Sequence, residues 1–288
     1  MDRRLYGTLV AAPVVAVGLY AYYLKYRTKN RLFFMLNVPI EHAVAPGRWR
    51  LVGLLVRVRN FIYRNTIQDR LWNYIEARSE VGNADSVLAA FDDYCYNYEW
   101  TWAIGDKKAV ILAKVVQEAK PKMMLELGTF LGYSAIIIAQ NMPPDGKLIT
   151  VEAFPKSAEI ARKIINRAGY GDKVTVINAF SYDVIPNLHH DYDVETLDMV
   201  FLDHFMEGYV ADLKRLEKGG FLHNGSVAFA DNVRGEGSKG FSEYIRSSGH
   251  YECQFYEADN GYIEGMSDGM ERGIFKGADM FSGETLGL

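Results

Sequence analysis

The most apolar stretch of the chain stands near its start. Leu5 to Leu24, LYGTLVAAPVVAVGLYAYYL, carries no charge, and about 20 apolar residues suffice for one helical crossing of a bilayer. Pro13 and Gly18 inside the run are tolerated in membrane helices. A cleaved signal peptide is the competing reading, because Arg3 and Arg4 form a short basic flank and small residues lie near Ala21. The run is longer than the usual signal-peptide core of about 7–15 residues, which favours an anchor. Lys25, Arg27, Lys29 and Arg31 follow it, against Arg3 and Arg4 ahead of it. The larger basic cluster belongs on the cytoplasmic side, so a single-pass protein with the sequence after the span in the cytoplasm is predicted. Endoplasmic reticulum and plasma membrane both remain open. Residues 1–4 are then a short flank, 5–24 the anchor and 25–63 a basic juxtamembrane linker. From Arg48 to Arg64, five arginines alternate with Trp49, Leu51, Leu54, Phe61 and Ile62. This composition suits an anionic membrane surface or a linker helix with solvated arginines equally well.

From Arg64 onward the pattern changes to that of one domain, 64–288. Asn83 or Asp85 caps a helix through VLAAFDDYC, and Gly105-Asp106 opens another through KKAVILAKVVQEA, where apolar residues recur at helical spacing. Strand and helix patterns then alternate: MMLEL, YSAIIIAQN, LITVE, PKSAEIARKIINRAG, KVTVI, LDMVFLD, YVADLKRLEKGG and SVAFAD. Such alternation predicts an α/β fold with a doubly wound, mainly parallel sheet. CQFYEA and MERGIFKG read as two late strands forming an antiparallel hairpin at a sheet edge, which makes the sheet mixed.

Composition narrows this picture only a little. A chain of 288 residues holds one sizeable α/β domain plus appended sequence. A net charge of -4 gives no reason to expect a nucleic-acid partner. Cys95 and Cys253 stand far apart without metal-ligand spacing and read as two reduced thiols. Tyr94, Tyr96, Tyr98, Trp100 and Trp102 read as lid and core packing.

The chemistry gathers at predicted strand ends. The first strand of the alternating region runs into ELGTFLGYS (126–134), directly before a helix. Gly128 and Gly132 permit a tight turn and close approach of a ligand to backbone. The spacing differs from the G-x-G-x-x-G dinucleotide pattern, in which a helix N-terminus receives a pyrophosphate. Glu152 ends the next strand, where a carboxylate commonly accepts from both ribose hydroxyls. Loop and glutamate together favour a nucleoside cofactor. Asp203 ends LDMVFLD, and Asp231-Asn232 ends SVAFAD. Neighbouring strand ends deliver side chains into one crevice, and two carboxylates with an amide oxygen suit Mg²⁺. Strand-end Asp and Asn also serve as caps and turn formers, and the residues alone do not choose.

ELGTFLGYS, LITVEAFP, GDKVTVINAFSYDVIP, LDMVFLDH and ADNV resemble catechol O-methyltransferases in order and approximate spacing. VLAAFDDYCYNYEWTWAIGDKK resembles the region that precedes them there, and the likeness runs from about Arg64 to Gly277. The resemblance implies a Rossmann-like fold of the adenosylmethionine-dependent methyltransferase type, S-adenosyl-L-methionine and Mg²⁺ as cofactors, and a catechol as small-molecule substrate. It implies that Glu126, Gly128, Tyr133 and Ser134 bind the methionine part of the cofactor and Glu152 its ribose. Ser181 would lie near the adenine, His204 and Phe205 would flank the cofactor, and Ile104 would line its pocket. Tyr182 stands where that family has an amide. Asp203, Asp231 and Asn232 match the metal ligands, with Trp100, Asp203, Asn232 and Glu264 toward the substrate. Glu264 resembles the glutamate that receives a substrate hydroxyl, in a segment that is shorter here. Trp100 and Phe205 resemble an aromatic gate. Trp102 replaces a smaller residue, and Arg234-Gly235-Glu236 replaces an apolar turn, where either charge pairs with a substrate group or is solvated.

One position departs sharply: Met206 stands where the resemblance requires a lysine acting as general base. A thioether takes no proton. General-base help is worth roughly 10²–10⁴-fold, so its loss predicts slow methyl transfer. Lys214, His204 and Glu207 are poorly placed to replace it. Three readings follow: a catechol O-methyltransferase, a related cation-dependent methyltransferase of another vicinal diol or a phenolic plant-like substrate, or a membrane-anchored pseudoenzyme serving as a protein-binding scaffold.

Overall fold

Met123–Leu127 (MMLEL) is almost wholly buried, as a central parallel strand covered on both faces must be. It is β1 of a computed structural model that describes residues 60, 64–259, 261, 262 and 267–277, apart from the side chains of Glu236 and Lys239. The expected anchor 5–24, the linker but for residue 60, and Glu264 lie outside the described residues. Among the described residues, no helix is long and apolar enough to cross a membrane.

Three helices precede β1: α1 (Ile67–Arg78), α2 (Ala84–Asn97) and α3 (Gly105–Ala119). Thr66 and Asp69 close a reciprocal capping box at the start of α1. Of the two expected caps for α2, Asn83 is the one used, its side chain accepting from the Ser86 N–H. There follow α4 (Tyr133–Asn141), β2 (Lys147–Glu152), α5 (Pro155–Arg167), β3 (Val174–Asn178), the short α6 (Ser181–Val184) and α7 (Leu188–Tyr192), and β4 (Leu197–Leu202). The chain then runs through α8 (Tyr209–Lys218), β5 (Leu222–Ala230), α9 (Lys239–Ser247), β6 (Tyr251–Asp259) and β7 (Ser267–Phe275).

The sheet order is β3-β2-β1-β4-β5-β7-β6. The first five strands are parallel and the last two antiparallel to their neighbours. The predicted late hairpin exists, but only β6 is an edge strand. β7 inserts beside β5, pairing Ile274 with Val227 and Glu271 with Ala230, because β5 has a free ladder that must be closed. Pattern reading missed α1, α6, α7 and α9, which are short or begin in polar sequence.

Helices cover both faces. Leu71, Val87, Phe91, Leu112, Ile138 and Ile164 pack on one side with Met124 and Phe201. Leu188, Leu213, Leu216, Phe241 and Ile245 pack on the other with Leu125 and Val200. Each such side chain fully buried stabilises the fold by about 1.5–3 kcal/mol. Strand order reverses between β1 and β4, so a crevice opens beyond their C-terminal ends.

Candidate active site at the strand ends

The loop leaving β1 is held against the end of β4. Gly128 has φ +102, and a Cβ there would lie 2.2 Å from the Asp203 carbonyl oxygen, so only glycine fits. Its N–H donates to Val151 O at 2.9 Å, while the Asp203 N–H donates to Leu127 O at 2.8 Å. Glu126, fully buried on β1, accepts from the Thr150 hydroxyl through Oε2, and Thr150 is itself bonded to Thr129. Its Oε1 has no hydrogen-bond partner. Burial pushes this carboxyl up to about 7, against the pull of the Thr150 and Ser134 hydroxyls. A buried carboxylate oxygen without a donor favours an incoming cation.

Glu152 ends β2, and its two oxygens accept from the Phe130 and Phe154 N–H groups, each at 2.8 Å. Burial raises its pKa against those two bonds. Tyr133 opens α4, but its hydroxyl is committed to Asp92 at 3.1 Å, and Asp92 also accepts from Tyr262 at 2.8 Å. Burial pushes Asp92 up to about 6.

At the other side of the crevice, Leu202 of β4 pairs with Ala230 of β5, so Asp203 and Asp231 leave adjacent strands side by side. Burial, then the charge of Asp231, holds the Asp203 carboxyl well above its usual range. Asn232 has φ +54, a left-handed backbone that Asn tolerates better than most residues. Its carbonyl is tied down by the Ser238 hydroxyl and its amide donates to Asp268 Oδ2 at 2.7 Å. A lysine also stands here that the sequence reading did not pick out. Lys108 of α3, 1% exposed, places Nζ 2.6 Å from Asp231 Oδ1 and 2.7 Å from Asp268 Oδ2. The Asp231 contact is an ion pair without hydrogen-bond alignment, whereas the Asp268 contact is a hydrogen bond. Burial would lower the Lys108 pKa, but the two carboxylates outweigh it and raise it.

Residues 84–246 match a family described as O-methyltransferase. The chain is 39% identical over 222 residues to the catechol O-methyltransferase of Mus musculus, covering 76% of this chain and 83% of that relative. It is 34% identical over 230 residues to the transmembrane O-methyltransferase of Propithecus coquereli, covering 79% and 84%. The chain belongs to the catechol O-methyltransferase family. Among solved structures, an O-methyltransferase from Bacillus cereus in complex with SAH is similar at TM-score 0.56 and 25% identity, over 61% of this chain and 84% of that one.

Among the described residues, the other positions singled out from the catechol O-methyltransferase resemblance lie just before α3 (Trp100, Ile104), at the start of α6 (Ser181) and just after β4 (His204, Phe205). His204 Nε2 contacts Asp212 Oδ2 at 2.9 Å and its ring lies 5.1 Å from that of Tyr209. Burial pushes Asp212 up, but hydrogen bonding from His204, Ser181 and Arg215 outweighs it and holds the carboxyl below its usual range. Ser181 and His204, read separately in the sequence, thus converge on one carboxylate. Ile104 is 3% exposed at the start of α3. Phe205 is 63% exposed and meets Phe154 edge-on, and Trp100 meets Trp102 at 5.1 Å. Tyr182 stacks on Phe180.

Met206 turns away from any role in proton transfer. It packs against the core cluster under β4 and β5, and a Cβ on Gly235 would meet its sulfur at 3.0 Å. Lys214 lies over the Tyr244 ring, and Glu207 is exposed. Arg234 is engaged by Ser267 and Glu257. Among the described residues no group of three or more His, Cys, Asp or Glu side chains is arranged to hold a metal. The strand-end set has two carboxylates and an amide.

Proposed function

We propose that this member of the family is an S-adenosyl-L-methionine-dependent, Mg²⁺-dependent O-methyltransferase of catechols or related vicinal-diol aromatics. Residues 5–24 anchor it in a membrane with the catalytic domain, 64–288, on the cytoplasmic side. The observation that carries the reading is the pairing, across one switch-point crevice, of the unpartnered Glu126 oxygen with the Asp203, Asp231 and Asn232 set.

The residues fit both groups. The Glu126 carboxylate suits the ammonium of the methionine part, with Gly128, Tyr133 and Ser134 around it, and Glu152 suits the ribose hydroxyls. Ser181, His204, Phe205 and Ile104 would enclose the adenine end. Asp203, Asp231 and Asn232 offer hard oxygens. Asp231 and Asp268 share the single ammonium of Lys108, which leaves a negative charge for a cation to neutralise, with Asp203 at the neighbouring strand end.

The cofactor supplies a methyl group on a positively charged sulfur. Asp203, Asp231 and Asn232 would hold the cation, which would lower the proton affinity of a substrate hydroxyl. Trp100 and Phe205 flank the aromatic ring, and Glu264 receives the second hydroxyl. Orientation is the chief contribution of these side chains. No described lysine takes the place of Met206, and Lys108 is held as an ammonium by its two carboxylates, so transfer is slow relative to an enzyme with a built-in base.

Purified protein with adenosylmethionine and a catechol tests the reading. Methyl transfer that appears with Mg²⁺ and stops with a chelator is expected. No transfer to any catechol at saturating Mg²⁺ overturns it. The position of Met206 also supports a second reading, a scaffold that keeps the fold and cofactor without a catechol site. Calorimetric binding of the cofactor without Mg²⁺-dependent catechol binding would favour that reading.

A further inference from the structure

The Asp268 carboxylate lies on β7, 36 residues beyond Asn232 and 160 beyond Lys108, and its Oδ2 accepts from both: 2.7 Å to the Asn232 amide and 2.7 Å to the Lys108 ammonium. All three groups are at least partly buried, Lys108 at 1% and Asp268 at 5% exposure. The Asn232 backbone is fixed independently by its left-handed φ and by the Ser238 hydroxyl on its carbonyl. What the backbone does not fix is which end of the side-chain amide faces the crevice. A carboxylate accepts and does not donate, so Asp268 selects the NH₂ end for itself and leaves the carbonyl oxygen of the amide for the crevice. The same ammonium that pins Asp268 lies 2.6 Å from Asp231.

We infer that Lys108 and Asp268 are positioning residues: a buried relay from α3 through β7 that sets the amide of Asn232 and the carboxylate of Asp231 in the orientation required to ligate a divalent cation. The inference rests on the proposed cation site. Neither residue touches substrate or cofactor; both act through the ligands they hold. Groups that orient metal ligands in this way typically contribute 10- to 100-fold to metal affinity.

The test uses Mn²⁺ as probe, with free Mn²⁺ read by electron paramagnetic resonance, and no turnover. The double variant Lys108→Met/Asp268→Asn removes one charge of each sign, so the net charge of the site is unchanged while the relay is lost. Mn²⁺ affinity is expected to fall about 10- to 100-fold, with S-adenosylhomocysteine affinity within about threefold of wild type. Double-variant Mn²⁺ affinity within threefold of wild type overturns the inference. If that variant does not fold, as judged by its melting transition, Asp268→Glu keeps the charge and displaces the carboxylate by one methylene. A loss of at least fivefold in Mn²⁺ affinity then supports the relay, and a smaller change overturns it. Wild-type protein that takes up no Mn²⁺ at all removes the cation site itself, a result distinct from equal binding by wild type and variant.

Discussion

On the β1–β2 side of the crevice, Glu126 and Glu152 accept from hydroxyl and backbone N–H donors, and one Glu126 oxygen accepts nothing. On the β4–β5 side, Asp231 and Asp268 share a buried ammonium. Both pairs are desolvated, and burying a carboxylate without a counter-charge is costly. The fold meets that cost internally with Lys108 on one side and leaves it unmet at Glu126 on the other. On the proposed function the contrast is a division of labour: a pre-set cage for a small cation, and a seat that would gain its counter-charge only when a cationic ligand arrives.

Removing one member of the pre-set side should have the largest effect. Asp231→Ala leaves Lys108 with a single carboxylate and is expected to cost about 3–5 kcal/mol of stability, as breaking a buried pair does, and to abolish Mg²⁺-dependent transfer. Thermal melts and the metal titration check both, and a variant as stable as wild type would mean that the ammonium is not a structural charge.

The cofactor side should respond differently. Glu126→Gln is expected to weaken S-adenosylhomocysteine binding by about 2–5 kcal/mol, the cost of truncating one member of a buried charge pair. It should not weaken the apo fold. The folded Glu126 pKa of about 7 lies above its ordinary 4.5. The folded state therefore binds more protons than the unfolded one between those values, and wild-type stability falls as pH rises through that window. The glutamine variant should lack this fall, as melts across pH would detect.

Met206→Lys sharpens the comparison at its midpoint. Restoring a base is expected to raise the rate near neutrality by about 10²-fold, the lower end of what general bases supply. The lysine must leave the apolar contacts with the core under β5 to do so. An unchanged rate in single-turnover assays would show that proton removal does not limit transfer.

The smallest effect is titration of the wild-type seat. Below pH 7 an ammonium must displace a proton from Glu126, a group surrounded by Thr150, Ser134 and the Glu152 charge. Cofactor-product affinity should fall by up to about tenfold per pH unit there, and should be flat in Glu126→Gln. Calorimetry at several pH values measures it.

Much of this molecule was legible along the chain. The β-α alternation gave the parallel sheet because each strand and helix carries its own period, and ELGTFLGYS declared a loop because two glycines meet a strand end and a helix start. That Asp203 and Asp231 stand side by side was readable because strand ends in a doubly wound sheet share one edge. Asn83 and Asp85 were equal candidates for a cap, and only the built helix chose Asn83.

The sequence by itself determined the fold class, the position of the crevice and the residue types at its rim, since these depend on local periodicity and on which residues end strands. The tertiary structure alone decided which charges face one another. Lys107 and Lys108 are neighbours of the same type in one helix, yet the first is exposed and pairs with Asp259 while the second is buried between Asp231 and Asp268. Nothing in their local pattern separates them. The difference arises because β7 inserts beside β5 and brings a carboxylate from 160 residues away to the buried face of α3, a contact set by strand order rather than by sequence period.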